Sequence, residues 1–172
     1  MTDFPQIVAK YKQSGILVDT NLLLLLFIGS YDLRSITTFE NTSSFTLEDF
    51  ELLEALVKSF DNKVISTPHI LAELSNLSIK GWRYETARRE YWTLLPKMLS
   101  VIDEHYVAHE EATAISCFIR LGLTDAGIAH LVTGKYPVVT TDLDLYLHLS
   151  RNGVDVINFN HFRPFGWSYF SP

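Results

Sequence analysis

Sulfur is nearly absent from this sequence. Cys117 is the single cysteine among 172 residues, and a lone thiol cannot form an intramolecular disulfide. A chain of this length can bury most of its apolar surface without cross-links. We therefore expect a fold held by its core, in a reducing compartment.

Long hydrophobic runs are also missing. The most apolar stretch, 22–28, lies between polar residues and is far shorter than the ~20 residues that span a bilayer. Residues 1–14 are mixed polar and lack the apolar core of a secretory signal. We expect a soluble, cytoplasmic protein without membrane contact, in which 22–28 forms a buried helix.

The chain has no excess of positive charge. It carries 14 Lys and Arg against 20 Asp and Glu, a net charge of −6, whereas a general nucleic-acid binder is usually basic. A nucleic-acid role would therefore need a local basic patch or a bound cation. The apolar share of 47% fits a folded globule and excludes a disordered chain.

Short apolar runs alternate with helical patterns along the chain. The runs at 15–18, 63–66, 137–140 and 154–157 predict strands buried on both faces, and 98–102 is either a fifth strand or the end of a helix. Helices are predicted over 47–60, 68–77, 82–95, 110–121, 125–132 and 143–150. This alternation predicts one α/β domain over 1–172, a three-layer α/β/α sandwich with a central parallel sheet.

Two regions depart from the alternation. Residues 29–46 are rich in Ser and Thr and precede the helix at 47–60. We interpret 29–62 as an extended helical and loop insertion after the first strand, and its loop as a flap that could gate a site. The tail at 159–172 is aromatic, and we expect it to pack back on the domain.

Four acidic residues fall at related positions. Asp19 directly follows the first strand and Asp142 follows the strand at 137–140, while Glu73 is on the polar side of a helix and Asp125 is in the first turn of another. The carboxyl ends of parallel strands line one crevice. We therefore expect these four carboxylates to converge, although each could alternatively cap a helix or face solvent.

Four converging carboxylates need a neutralising partner, because crowded like charges repel. Mg²⁺ and Mn²⁺ are hard cations that prefer oxygen ligands. Zinc is not indicated, since there is one cysteine and no paired histidine spacing. The acids therefore predict a Mg²⁺ or Mn²⁺ site.

Four segments carrying these acids resemble, in the same order, the acidic motifs of PIN domains. They are Val18-Asp19-Thr20-Asn21, Ser66 to Leu74, Gly122 to Ala129, and Val139 to Leu145. The resemblance implies a PIN-like, Rossmann-like fold and a Mg²⁺- or Mn²⁺-dependent endoribonuclease. It implies catalytic roles for Asp19, Glu73, Asp125 and Asp142, metal ligation by Asp19, Asp125 and Asp142, and supporting roles for Asn21, Thr140 and Asp144.

The same resemblance suggests partners and products. Many small PIN domains are toxins of toxin–antitoxin pairs, so an antitoxin protein and a homodimer are candidate partners beside the RNA substrate. The region 29–62 is longer than in those compact toxins. Cleavage would leave a 5′-phosphate and a 3′-hydroxyl, with Glu73 as a base or outer ligand.

RNA must also reach an acidic site. The segment 80–97 carries five basic residues against two acidic ones, together with four aromatic residues. Basic groups hold phosphates and aromatic rings stack on bases, so we predict RNA binding there, although a solvated helix with core-packed aromatics is the simpler alternative. The residues predicted to bind RNA are Lys80, Arg83, Arg88 and Arg89.

Two other functions stay open. The first is a catalytically inactive PIN-like module that binds RNA or protein, which binding of a divalent metal would argue against. The second is a phosphatase, because 138–144 resembles the strand-then-DxD motif of haloacid-dehalogenase-like enzymes. In those enzymes the motif lies near the N-terminus, whereas here about 30 residues follow it.

Overall fold

A single parallel sheet forms the centre of the protein, whose computed structural model describes residues 4–164. All neighbouring strands pair in parallel, in the spatial order β3-β2-β1-β4-β5. The strands are β1 (Ile16–Val18), β2 (Val64–Ser66), β3 (Ile102–Glu104), β4 (Val138–Thr140) and β5 (Val156–Asn158).

Eight α-helices flank this sheet within the described range, which confirms the three-layer α/β/α prediction. They are α1 (Phe4–Tyr11), α2 (Thr20–Tyr31), α3 (Leu47–Lys58), α4 (Pro68–Ile79), α5 (Glu85–Leu99), α6 (His109–Thr113), α7 (Phe118–Val132) and α8 (Leu143–Arg151). Short 3₁₀ helices span Leu33–Ser35, Glu40–Thr42 and Phe159–His161. None of the helices in this part of the chain is long and apolar enough to cross a membrane.

Burial explains why the central strands have no polar alternation. Every residue of β1, β2 and β4 is buried, as expected for a parallel sheet covered on both faces. The predicted buried helix is α2, where every residue from 22 to 28 except Leu26 is buried. The apolar run therefore belongs to the core.

Two sequence predictions were wrong or needed resolving. The run at 98–102 mainly finishes α5, and the edge strand β3 follows it with the exposed residues Asp103 and Glu104. The single helix predicted over 110–121 is instead α6 and the start of α7. Gly122 breaks α7 with a φ of 84°, a conformation that residues with a side chain rarely adopt.

The insertion is anchored by apolar side chains among its polar residues. Ile36 and Phe39 are buried, and the buried Thr42 hydroxyl donates to the Ile36 carbonyl over 2.8 Å. Gly29 lets α3 approach α2 closely, because a Cβ there would lie 2.3 Å from the Phe50 ring. The insertion is thus packed against the core.

The C-terminal segment contacts the insertion as far as it is described. Phe159 and Phe162 are buried. Arg163 donates to both carboxylate oxygens of the buried Asp49 on α3, each over 2.8 Å. The rest of the predicted aromatic tail, with Phe165, Trp167, Tyr169 and Phe170, lies outside the described residues.

The strand order defines where a ligand site is expected. From β1 the chain proceeds to β2 and β3 on one side, and β4 and β5 lie on the other. The order therefore reverses between β1 and β4. In open α/β sheets ligands bind outside the carboxyl ends of the strands at this switch point.

Candidate functional site

Asp19 lies at the switch point, between the end of β1 and the start of α2. Its Oδ1 accepts a hydrogen bond from the Thr20 backbone N–H, and its Oδ2 accepts one from the Thr140 hydroxyl, each over 2.6 Å. The residue is 6% exposed. Asp19 is thus both a helix cap and the partner of a residue 121 positions away.

Thr140 connects Asp19 to Asp142. The Thr140 side chain is fully buried at the end of β4, and its oxygen accepts the Asp142 backbone N–H over 2.9 Å while it donates to Asp19. Asp142 caps α8, since its Oδ1 accepts from the Leu145 N–H over 2.9 Å. The exposed Asp142 is therefore held beside the buried Asp19 across the switch point.

Glu73 joins the site through a hydroxyl that the sequence analysis did not single out. Thr20 Oγ1 donates to Glu73 Oε2 over 3.1 Å, and Glu73 is otherwise exposed on α4. The sequence feature that could have indicated this contact is the hydroxyl of Thr20, which directly follows Asp19 at the first position of a helix. A side chain at that position lies beside the helix that follows the neighbouring strand, which here is α4.

The four carboxylates influence one another electrostatically. Burial raises the pKa of Asp19 to about 6, with smaller contributions from the Asp142 and Glu73 charges, while hydrogen bonds from Thr140 and Thr20 oppose the rise. Burial also raises the pKa of Asp125 to about 7, and the charges of the other three acids add to it. We call Asp19, Glu73, Asp125 and Asp142 the acidic site.

The donor atoms of the acidic site suit a hard divalent cation, because they are carboxylate and hydroxyl oxygens. A cation would also relieve the repulsion that helps to raise the pKa of Asp125. However, within residues 4–164 no three His, Cys, Asp or Glu side chains form a ready metal-binding group. The acids thus match the cation in chemistry and charge without a preformed cage.

Two of the predicted supporting residues, Asn21 and Asp144, are exposed. The exposed Asn21 makes no side-chain hydrogen bond within the described part of the chain. The carboxylate of Asp144 pairs with Arg120 over 3.0 Å and is largely exposed. Among the predicted supporting residues, Thr140 alone contacts one of the four acids directly.

His69 and Gly127 form a close contact between the two helices that carry Glu73 and Asp125. A Cβ at Gly127 would lie 3.2 Å from His69 Nδ1, and that nitrogen is buried without a hydrogen-bond partner among residues 4–164. The bare glycine lets α7 approach α4 here. Gly127 belongs to the third PIN-like motif, where no role was predicted for it.

The predicted RNA-binding residues differ in what they contact. Arg88 and Arg89 both pair with Glu85, over 2.9 and 3.2 Å, which offsets part of their charge. Arg83 is exposed and lies over the Tyr84 ring, 5.4 Å from its centroid. Lys80 is exposed at the end of α4.

Comparisons with other proteins add no family to this geometry. No protein-family model, no curated protein and no solved structure matches the chain. The features of this chain that bear on function are therefore the acidic site itself and its place at the switch point.

Proposed function

We propose that this chain is a divalent-metal-dependent ribonuclease that hydrolyses RNA phosphodiester bonds at the acidic site. One observation carries the proposal. The Thr140 hydroxyl joins Asp19 and Asp142 across the switch point, with 2.6 Å to Asp19 and 2.9 Å from the Asp142 N–H. This contact fixes two acids from different strands at the edge where α/β sheets bind ligands.

Three acids would hold the cation: Asp19, Asp125 and Asp142. Bound Mg²⁺ or Mn²⁺ supplies charge neutralisation at the phosphate and lowers the pKa of a water that it holds. Thr140 keeps Asp19 oriented, and the cap of α8 keeps Asp142 oriented. These hydrogen bonds fix the ligands before substrate arrives, which limits the reorganisation that catalysis requires.

Glu73 is the group best placed to accept a proton. Its carboxylate is exposed, and one oxygen is held by Thr20 over 3.1 Å. A water oxygen would bond to phosphorus as the bond from phosphorus to O3′ breaks, while Glu73 takes a proton from the water and the departing O3′ takes a proton from solvent. The products would be a 5′-phosphate and a 3′-hydroxyl.

Cleavage assays with acid-to-amide variants test this function. Mixed cellular RNA and single-stranded DNA are incubated with Mn²⁺ or with EDTA, using wild type, Asp142→Asn and Asp61→Asn. We expect Mn²⁺-dependent RNA loss that falls about 100-fold or more in Asp142→Asn. The exposed Asp61, near Lys12 at 3.7 Å, provides the matched control, and an equal loss in both variants would contradict the proposal.

A non-catalytic binding module is the second candidate. It is favoured by the absence of a ready three-ligand group within residues 4–164. A Mn²⁺ titration of the melting temperature separates the two candidates, since ligand at 100 times Kd adds about 2.7 kcal/mol to stability. No rise in wild type would favour the module.

The role as a toxin, with an antitoxin and a homodimer as partners, is a narrower form of the same proposal. It predicts growth arrest when the wild-type chain is expressed alone. Expression of Asp142→Asn, which keeps an acceptor for the α8 cap, should not arrest growth. Equal growth with both chains would count against the toxin role.

A further inference from the structure

A cleft lined by aromatic and charged side chains lies away from the acidic site. It has a volume of about 410 Å³ and is formed by the end of α2, the first 3₁₀ turn, and the segment joining α4 to α5. Pockets that bind small-molecule ligands usually have a volume of ~300–1,000 Å³. We call it the aromatic cleft; its lining includes Tyr31, Asp32, Arg34, Trp82, Arg83 and Tyr84.

The aromatic wall of this cleft is held in place by the core. The Trp82 ring lies 5.6 Å from Tyr31 and 4.8 Å from Phe39, measured between centroids. Its indole N–H donates to the Ser78 carbonyl over 2.8 Å, which fixes the ring orientation. Tyr84, by contrast, is 59% exposed at the cleft, so a flat ligand could stack on it.

Among residues 4–164, the charged groups of the cleft leave one cation, Arg83, without a carboxylate partner. Asp32 accepts from the Arg34 guanidinium over 3.1 Å, and Glu90 accepts from the Tyr31 hydroxyl over 2.9 Å. Both carboxylates therefore already have donors. Arg83 lies over Tyr84 and has no hydrogen bond or ion pair with another residue in 4–164.

We propose that the aromatic cleft binds one nucleotide of a single-stranded RNA, with its base on Tyr84 and its phosphate at Arg83. Aromatic faces stack on any base, and guanidinium groups form strong hydrogen bonds with phosphate. The ring and the cation are already adjacent in the structure, as both contacts require. The identity of the ligand rests on the proposed ribonuclease function, whereas binding at the cleft does not require the acids.

The position of the cleft makes its contribution depend on substrate length. Thr20, which contacts the acidic site, and Tyr31, which lines the cleft, are the two ends of α2. At ~1.5 Å per residue they lie about 16 Å apart along the helix. A dinucleotide is too short to occupy both places, whereas a strand of a dozen nucleotides can span them.

Binding measurements with matched variants test the cleft. Labelled 12-nucleotide single-stranded RNA is titrated with full-length protein in EDTA, which suppresses cleavage, and anisotropy is recorded. We expect Tyr84→Ala and Arg83→Glu each to weaken binding roughly 5- to 100-fold. Tyr106→Ala, at a tyrosine 79% exposed outside the cleft, and Arg151→Glu, at an exposed arginine of α8, should bind as wild type.

Cleavage kinetics then link the cleft to the acidic site. With Mn²⁺, the two cleft variants should raise KM for the 12-nucleotide substrate and leave turnover of a dinucleotide unchanged. If the cleft variants bind RNA more weakly but wild type cleaves no RNA, the cleft proposal stands and the ribonuclease proposal is refuted. The cleft proposal is overturned if cleft variants that keep the wild-type melting temperature bind the RNA as tightly as the control variants do.

Discussion

Replacing Asp19 with Asn should stabilise the metal-free protein at alkaline pH. The pKa of this carboxyl rises from its ordinary 3.8 to about 6 in the folded chain, chiefly because of burial. Each tenfold change in proton affinity corresponds to ~1.4 kcal/mol. The ionised Asp19 therefore lowers the free energy of unfolding by about 3 kcal/mol at pH 8, a penalty that a neutral amide does not incur.

The hydrogen bonds of Asp19 reduce the gain in stability that is expected for Asp19→Asn. Its two oxygens accept from Thr20 and Thr140, and an amide has only one acceptor oxygen, so one bond weakens at a cost of about 1 kcal/mol. The net expectation is a gain of roughly 2 kcal/mol at pH 8 for Asp19→Asn. An aspartate that merely capped α2 would change the stability little, because Asn caps a helix about as well as Asp.

The pH dependence has a defined sign. Because the pKa of Asp19 is higher in the folded chain than in the unfolded one, the folded state binds the proton more tightly. The contribution of this proton to the free energy of unfolding is fully present below pH 3.8 and is lost as the pH rises through about 6. Asp125, with a pKa near 7, acts in the same direction. At pH 4.5 the Asp19 penalty is only ~1 kcal/mol, so Asp19→Asn should then match wild type.

Urea unfolding in EDTA, followed by circular dichroism at pH 4.5 and pH 8, measures both values. Asp61→Asn serves as the control for removing one acid at an exposed position, and it should shift little at either pH. An Asp19→Asn variant that is no more stable than wild type at pH 8 would refute this prediction. The same difference in stability from wild type at both pH values would refute it as well.

Three further predictions concern Thr140, Gly29 and the metal. Thr140→Val should lower the free energy of unfolding by about 1–3 kcal/mol, because it leaves the buried Asp19 Oδ2 and the Asp142 N–H without their partner. The same change should lower any Mn²⁺-dependent RNA cleavage. The control is urea unfolding of Thr140→Ser, which keeps the hydroxyl. Gly29→Ala should cost about 1–3 kcal/mol, since its Cβ would meet the Phe50 ring at 2.3 Å, whereas Ser30→Ala on the exposed side of α2 should change the melting temperature little. Mn²⁺ should raise the melting temperature more at pH 8 than at pH 5, because protons compete for carboxyls whose pKa values are raised; an equal rise at both pH values would place the metal elsewhere.

Much of the fold was predictable because its central strands are buried on both faces. A strand such as β1 shows no polar alternation, so its apolar run is visible in the sequence. The edge strand β3 was misplaced for the opposite reason, since it carries the exposed Asp103 and Glu104. The break between α6 and α7 was missed because both pieces share an apolar pattern, and the pattern does not report where the backbone turns.

The presence of acids at the strand ends was predictable from the sequence, but the contacts that hold these acids were not. Strand ends place Asp19 and Asp142 at one edge of a parallel sheet, which follows from local pattern alone. The contact from Thr20 to Glu73 joins residues 53 positions apart, so it depends on the tertiary packing of α2 against α4. The close contact of Gly127 with His69 likewise appears only once α7 lies on α4.

Helix capping alone does not explain why the carboxylate of Asp19 is buried, and for this reason the acidic site bears on function. Ser, Thr and Asn cap a helix about as well as Asp, and none would bury a charge beside three other carboxylates. Here Asp19 is 6% exposed, and its second oxygen binds a threonine from another strand rather than the helix it caps. An arrangement that costs stability in the metal-free chain persists where function requires it. A cation that neutralises these acids would offset that cost, and for this reason we propose a metal-dependent enzyme rather than a binding module.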